Sequence, residues 1–257
     1  MLHSILLVVL AIMTLAFVLS IIFGRNDIVD FFWGLGFIAI AVSSLTLGGG
    51  HHWAQYVITG MVVIWGTRLC AHIFIRLVRS KKEDERYALW RKEWMAEAPG
   101  YFYTRSLLQV FLFQGFLMLV IMTPVMIFNA ASEIVFSPVM VIGLAIWLFG
   151  FIFETVADHQ LDEYLHAVKR PRIMKTGLWQ YSCHPNYFGE IMLWWGVWIA
   201  TLGVMAGWAG IVGPLTITGL ILYVSGIPLL EDRFKDNKTY QKYKMETSAL
   251  VPLKPFK

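Results

Sequence analysis

Apolar residues run through this chain in long, nearly unbroken stretches. Between Leu2 and Phe23 only His3, Ser4, Thr14 and Ser20 interrupt the run. Such stretches recur at roughly 2–24, 28–48, 54–78, 106–128, 138–157, 187–206 and 209–230. Each is about 20 residues long, enough to cross a hydrocarbon core ~30 Å thick as an α-helix. The pattern predicts an all-α fold: a polytopic membrane helix bundle with seven transmembrane helices, forming a single domain over residues 1–257. A tight turn near Gly207 and Trp208 separates the last two helices. Between the third and fourth stretches lies a longer polar segment, residues 79–104, where Tyr87, Trp90 and Trp94 fall at helical spacing among charges. It reads either as an amphipathic helix lying in the headgroups or as a lid over a cytoplasmic cavity.

Composition agrees with this pattern. The chain is 58% hydrophobic and 15% charged, whereas a soluble domain is roughly half apolar and a quarter charged. Eleven tryptophans suit the two bilayer–water interfaces. The first apolar run lacks a basic leader region and is long enough to span, so it is expected to be a membrane helix and not a removable signal. The net charge of +4 implies attraction to anionic headgroups of membrane lipids and no nucleic-acid partner. Cys70 and Cys183 form no CxxC pair, so neither a disulfide framework nor a metal site is expected.

Charge placement sets the orientation. Apart from Arg68 and Arg76, every Lys and Arg falls in the loops after the first, third and fifth stretches or in the tail, residues 231–257. Cytoplasmic loops are the ones enriched in Lys and Arg. The N-terminus is therefore expected outside the cytoplasm and the tail inside it; in a bacterial cell the membrane would be the inner, plasma membrane. The chain carries no signal for its oligomeric state.

Several polar residues fall where lipid is expected. Arg68, His72 and Arg76 recur every four residues, so they share one face of the third helix. They read either as one side of a structural ion pair or as a basic stripe facing an anionic ligand. Asp30 begins the second helix, Gln109 and Gln114 lie on the fourth, and Glu154 and Asp158 end the fifth. Glu190 lies on the sixth and Glu231 ends the seventh. Six helices thus bring polar groups to the cytoplasmic half of the bilayer. The repeated desolvation cost argues for a ligand cavity opening to the cytoplasm. Gly34-x-Gly36-x-x-Ala39 matches a dinucleotide fingerprint by letters only. With no strand before it, it reads as small-residue helix packing.

The segment between the fifth and sixth stretches is the most distinctive: Gly177-Leu-Trp-Gln-Tyr-Ser-Cys-His184-Pro185-Asn186-Tyr187-Phe-Gly-Glu190. Asn186 is expected as the N-cap of a helix starting at Tyr187, whose first N–H groups make an anion site. Capping does not account for the gathering of His184, Tyr187 and Glu190 around it. This block resembles the signature of the steroid 5α-reductase-like membrane proteins, especially their DUF1295-type bacterial branch. That superfamily also holds sterol C14-reductases and isoprenylcysteine or phospholipid methyltransferases. Further matches are Asp30 with Trp33-Gly34, Trp65-Gly66-x-Arg68-Leu69 and Glu83-Asp84-x-Arg86-Tyr87. Phe153-Glu154-x-x-Ala157-Asp158-x-Gln160, Pro228-Leu-Leu-Glu231, Tyr240-x-x-Tyr243 and Thr247-Ser-Ala extend the likeness over most of the chain.

The resemblance implies a seven-helix bundle that binds NADPH on its cytoplasmic side. It would reduce a carbon–carbon double bond conjugated to a carbonyl, in an apolar substrate drawn from the bilayer as part of lipid metabolism. It assigns Asn186 and Glu190 to the nicotinamide half, with His184, Tyr187 and Tyr243 also on the cofactor. Lys169, Arg170 and Arg233 would take its phosphates, and Arg76 would face it from the third helix. Asp30, Trp33, Arg68, Gln109, Gln114, Glu154 and Asp158 would line the cavity. The pattern also departs from the family. Cys183 stands where the bacterial branch has arginine, and Ile73 where the steroid enzymes carry a tyrosine proton donor. The second-helix glutamate motif is replaced by Asp30 and Trp33. The catalytic acid is left between His72 and Tyr87. An S-adenosylmethionine-dependent membrane methyltransferase, with Glu231-Asp232 as its acidic pair, and a non-enzymatic lipid-binding or transport protein are the alternatives.

Overall fold

The computed structural model of the protein describes residues 1–49, 52–80 and 82–255. Residue 81 of the 79–104 segment and residues 256–257 of the tail lie outside the described residues. Every regular element among the described residues is helical. The chain forms two compact units, Met1–Val135 and Phe136–Lys257.

The first unit opens with α1 (Leu2–Phe23), closed by Gly24 in the left-handed region at φ 68°. The Gly24 N–H bonds Ile21 O and the Arg25 N–H bonds Ser20 O, so the last carbonyls of α1 find donors. A 3-10 turn (Asn26–Ile28) leads into α2 (Val29–Leu47), followed by α3 (Trp53–Arg79). Gly34 and Gly66 let α2 and α3 meet closely: a Cβ at Gly34 would stand 3.0 Å from the Gly66 carbonyl oxygen. The glycine spacing of α2 is therefore helix packing, as its sequence context indicated.

The polar 79–104 segment folds as α4 (Glu85–Glu97) and α5 (Pro99–Arg105). The chain then runs through a π-helical stretch, Ser106–Leu112, into α6 (Phe113–Ile121). The expected span of 106–128 is not one helix. It breaks at Met122, and Pro124 stands in the first turn of α7 (Thr123–Ala130). Proline inside a continuous helix would cost an N–H bond and clash with the preceding turn.

The second unit contains α8 (Pro138–His166), α9 (Pro185–Ala200), α10 (Val212–Gly219), α11 (Ile227–Arg233) and α12 (Lys238–Glu246). Helix α8 continues more than two turns past residue 157, its expected end. The polar extension is laced by His159–Glu163 and Asp162–His166 contacts at i,i+4. Helix α9 starts two residues earlier and ends six residues earlier than expected. At its far end the Thr201 hydroxyl donates to Trp198 O, the Trp198 indole donates to Gly207 O, and the turn Thr201–Gly207 follows. In and beside this turn Met205 and Trp208 are 98% and 70% exposed.

Glycines seven residues apart clasp α8 to α9. A Cβ at Gly143 would lie 2.3 Å from Ala200 N, and one at Gly150 would lie 2.5 Å from Leu193 N. From α9, a Cβ at Gly189 would lie 2.5 Å from Glu154 N, and one at Gly196 2.4 Å from Trp147 N. Those contacts are with backbone, which no rotamer change can relieve.

Six helices among the described residues are long and apolar enough to cross a membrane. They are Leu2–Phe23, Asn26–Leu47, Trp53–Arg79, Gly100–Ile121, Pro138–His166 and Gly207–Arg233. These correspond to six of the seven expected stretches and describe an integral, multi-pass membrane protein. The remaining one, α9, has 16 residues and is roughly 24 Å long.

The glycine clasp gives a direct test. Gly150→Ala is expected to destabilise the detergent-solubilised protein by about 1–3 kcal/mol. Gly219→Ala, where nothing lies within 4 Å, is expected to be neutral or mildly stabilising. Equal melting temperatures for the two variants would contradict the clasp.

Candidate active site

Each unit carries its own polar constellation. In the first unit it gathers around Asp30, in the first turn of α2. The Arg76 guanidinium of α3 donates to Asp30 Oδ2 at 2.6 Å, and the Tyr87 hydroxyl of α4 donates to Oδ1 at 2.8 Å. The Gln114 amide of α6 donates to Tyr87 Oη at 3.3 Å. Arg86 lies 3.8 Å from the same carboxylate and 5.4 Å from the Tyr87 ring centroid. Tyr87 is buried. Burial and the neighbouring Asp30 charge hold its pKa well above the usual phenol value. The hydroxyl therefore keeps its proton throughout the neutral range.

A second group of ion pairs holds α4 in place. Arg25 grips Asp27 with two bonds, Nε to Oδ1 at 2.6 Å and Nη2 to Oδ2 at 2.7 Å. It also donates to the carbonyls of Leu77, Ser80 and Lys82. Asp27 accepts from the Asp84 N–H at 2.9 Å, and Glu83 takes a bidentate pair from Arg91 at 2.9 and 3.1 Å. Asp84 caps α4 through the Arg86 N–H. The order of charges in the 79–104 segment is thus read by the turn between α1 and α2.

In the second unit the constellation is the turn before α9. Pro185, not Tyr187, is the first helical residue, and His184 occupies the N-cap without a side-chain cap bond. Proline lacks the N–H that would be orphaned at N1, so it displaces Asn186 from the expected N-cap. Asn186 stands at the second helical position, and the capping role predicted for it is corrected. His184 is 1% exposed and stacks on Tyr187, with ring centroids 5.6 Å apart. Burial pulls its pKa down to about 4. Its Nε2 and the Tyr240 hydroxyl are buried without a hydrogen-bond partner among the described residues.

The tail packs onto this turn. Tyr243 is buried, and its hydroxyl donates to the carbonyls of Trp179 and, at 3.1 Å, Ser182. Cys183, Tyr240 and Tyr243 form a small core with Ile173, Leu230 and Phe234. Burial pushes the Cys183 thiol up to about 11, so it stays protonated. Glu231 accepts from Lys244 at 2.6 Å.

The other expected residues fall into place around these two groups. His72 is exposed, one turn before Arg76, and takes no part in the Asp30 network. Trp33 is half-buried, edge-on to Phe37. Arg68 is half-buried and partnered, and Gln109 is exposed in the π-helical stretch. Glu154 is buried and Asp158 half-buried, both partnered on α8. Asn186, Tyr187 and Glu190 are half-buried on the first turns of α9. Lys169, Arg170 and Arg233 are exposed, and Arg170 donates to Leu165 O at 2.9 Å. No group of three or more metal-ligating side chains occurs among the described residues. Ser182 and the pairs Arg25–Asp27 and Glu83–Arg91 were not singled out from sequence. Only the Glu83-Asp84-x-Arg86-Tyr87 run hinted at the last of these.

A family model described as "Protein of unknown function (DUF1295)" matches residues 16–247. Human 3-oxo-5-alpha-steroid 4-dehydrogenase 1 is 34% identical over 79 residues, which is 29% of this chain and 29% of the relative. The enzyme of the same name from Bos taurus is 31% identical over 84 residues, 31% of each chain. The chain thus matches less than a third of the length of these curated relatives. No solved structure matches it significantly.

The buried imidazole has a pH signature. The folded-state pKa of His184 is depressed to about 4, and an unfolded histidine titrates near 6.5. Between those values the unfolded chain binds a proton that the folded chain refuses, so stability falls as pH drops through that window. The full loss is about 3 kcal/mol. The melting temperature of wild type is expected to fall more steeply from pH 7 to 4.5 than that of His184→Asn. Parallel curves would contradict a buried, neutral imidazole.

Proposed function

We propose, for a chain that belongs to the DUF1295 family, that it is a membrane reductase acting on a carbon–carbon double bond conjugated to a carbonyl in an apolar lipid, with NADPH as the reductant. The partial likeness to the 3-oxo-5-alpha-steroid 4-dehydrogenases supports a reductase of CH–CH groups. The observation that carries the cofactor reading is the turn before α9. There a buried neutral His184 leaves Nε2 unpartnered among the described residues, at the N-terminus of a 16-residue helix. The same unit buries the Tyr240 hydroxyl without a partner. Buried polar atoms without partners are costly, and a ligand with neutral hydrogen-bonding groups offsets that cost. A nicotinamide carboxamide fits such a turn better than a phosphate does, because His184 is uncharged at neutral pH.

NADPH, when bound, supplies a hydride to the β-carbon of the enone. Asn186, Tyr187 and Glu190 hold the nicotinamide end, and the exposed cations Lys169, Arg170 and Arg233 hold the phosphates. Tyr87 supplies the acid: its hydroxyl retains a proton and turns from Asp30 to the substrate carbonyl, polarising it as the β-carbon is reduced. Arg76 remains on Asp30 and balances the carboxylate when Tyr87 leaves it. Gln114 steadies the phenol oxygen. Water supplies the proton that the α-carbon takes as the enolate collapses, and hydride and proton together complete the addition of two hydrogens across the double bond. Asp30 stands where the steroid enzymes carry another motif, so the substrate class extends to isoprenoid-like enones.

The topology proposed with this function has α9 as a seventh crossing, the N-terminus outside and the tail in the cytoplasm. All the loops rich in Lys and Arg then share one side. Substrate enters laterally from lipid, and the cofactor enters from the cytosol.

Two measurements test the reading. In a thermal-shift titration of the detergent-purified protein, NADPH is expected to raise the melting temperature with the logarithm of its concentration. Asn186→Ala is expected to weaken that affinity by about tenfold or more. Stabilisation by S-adenosylmethionine alone would replace the reductase with a methyltransferase. A flat response to both would favour a non-enzymatic lipid-binding protein. In an NADPH-oxidation assay with a panel of 3-oxo-4-ene steroids and isoprenoid enones, Tyr87→Phe is expected to lower kcat by roughly 10²-fold or more while leaving NADPH affinity unchanged. An unchanged kcat would remove Tyr87 as the acid.

A further inference from the structure

The turn before α9 is short, and α8 anchors its first part: Gln160 accepts from the Leu178 N–H, and the Trp179 indole donates to Ala157 O. A 3-10 turn covers Gly177–Gln180, and Tyr181 to His184 then run to the first helical residue. The Tyr181 and Ser182 N–H groups bond Leu178 O within the turn, and further bonds to these four residues come from the far end of the chain. Cys183 N–H donates to Ser248 O at 2.8 Å, and Leu253 N–H donates to Tyr181 O at 3.0 Å. The Ser182 hydroxyl donates to Leu250 O at 2.7 Å, and the Cys183 thiol points to Thr247 O at 3.8 Å. Before this strap, Tyr243 donates to Ser182 O. Tail residues 243–253 thus lie along residues 181–183 and bond them on both their N–H and C=O sides.

Ser182 links this strap to the cap. It is fully buried, and while its hydroxyl donates to Leu250 O it accepts from the His184 N–H at 3.0 Å. One oxygen therefore ties the tail to the backbone of the residue whose Nε2 is buried without a partner among the described residues. Alanine at this position would remove both bonds at once and leave a buried N–H and a buried carbonyl unsatisfied.

We propose that the tail strap Thr247–Leu253, acting through Ser182, is a positioning element that presets the His184 turn for the cofactor. This rests on the reading of that turn as the NADPH site. Neither Ser182 nor the strap touches the reacting atoms. Their effect is to fix the direction of the His184 ring and of the first N–H groups of α9 before ligand arrives, so that binding does not have to order them.

The test uses the full-length, detergent-purified protein with Ser182→Ala and Ser182→Thr, the second of which keeps a hydroxyl able to make both bonds. Hydrogen–deuterium exchange of the peptide containing residues 181–184 reads the strap without any ligand. NADPH affinity, measured well below the melting temperature of each variant, reads its consequence. The expected result is lost protection and about tenfold weaker NADPH binding in Ser182→Ala, with both restored in Ser182→Thr. Lost protection with unchanged affinity would overturn the inference while leaving the cofactor reading intact, and so would unchanged protection. Wild-type protein that fails to bind NADPH would overturn the cofactor reading and this inference with it, whatever the exchange data show.

Discussion

Asp30 places a carboxylate at the first turn of a helix that enters lipid, and an uncompensated charge there is among the costliest things a membrane chain can carry. The way that cost is met organises the first unit. Arg76 and Tyr87 each take one carboxylate oxygen, and Arg86 lies just beyond. Tyr87 and Arg86 belong to α4, so compensating Asp30 requires α4 to dock. Asp27 and Glu83 repeat the arrangement one step along, with Arg25 and Arg91 as partners. A segment that composition alone would leave drifting among headgroups is thereby pinned to the turn between α1 and α2.

The second unit solves a different problem by different means. Its glycines bring the backbones of α8 and α9 into contact, which fixes where α9 lies. That alone does not fix the direction its first turn faces. The tail supplies this, with donors and acceptors on either side of Cys183. Close packing and main-chain hydrogen bonding both bear on one helix end: the first joins α9 to α8, the second joins the turn before it to the tail.

How much of this could be read beforehand follows from the range of each interaction. Long apolar runs are local, so six of the seven expected stretches reappear as helices long enough to cross a membrane. The break at Met122 was announced by Pro124 but masked by the apolar residues around it. Pro185 fixed the start of α9 two positions earlier than the N-cap preference of Asn186 suggested, since the absence of a donor at N1 outweighs a side-chain cap. Asp30, Arg76 and Gln114 were marked as polar intruders in apolar surroundings, whereas Tyr87, which joins them, was read as an aromatic among charges and a candidate acid. Ser182 gave no such sign. A lone serine in a loop is unremarkable in sequence, and its partner Leu250 is 68 positions away. The Tyr243 hydroxyl bonds the carbonyls of Trp179 and Ser182, a use that only the folded tail reveals.

Helix α9 has a mechanical consequence for the surrounding lipid. It is 16 residues long and lies against α8, which has 29. No charged residue occurs between Glu190 and Glu231, so nothing marks the turn Thr201–Gly207 as belonging in water. As a crossing element α9 is shorter than a bilayer of ordinary thickness. Either the lipid beside it thins, or its turn sinks below the far headgroups, with Met205 and Trp208 meeting acyl chains. Both carry an elastic cost that grows with bilayer thickness. On the proposed seven-crossing topology, that cost would fall in thin, deformable membranes and would gather short-chain lipids beside α9.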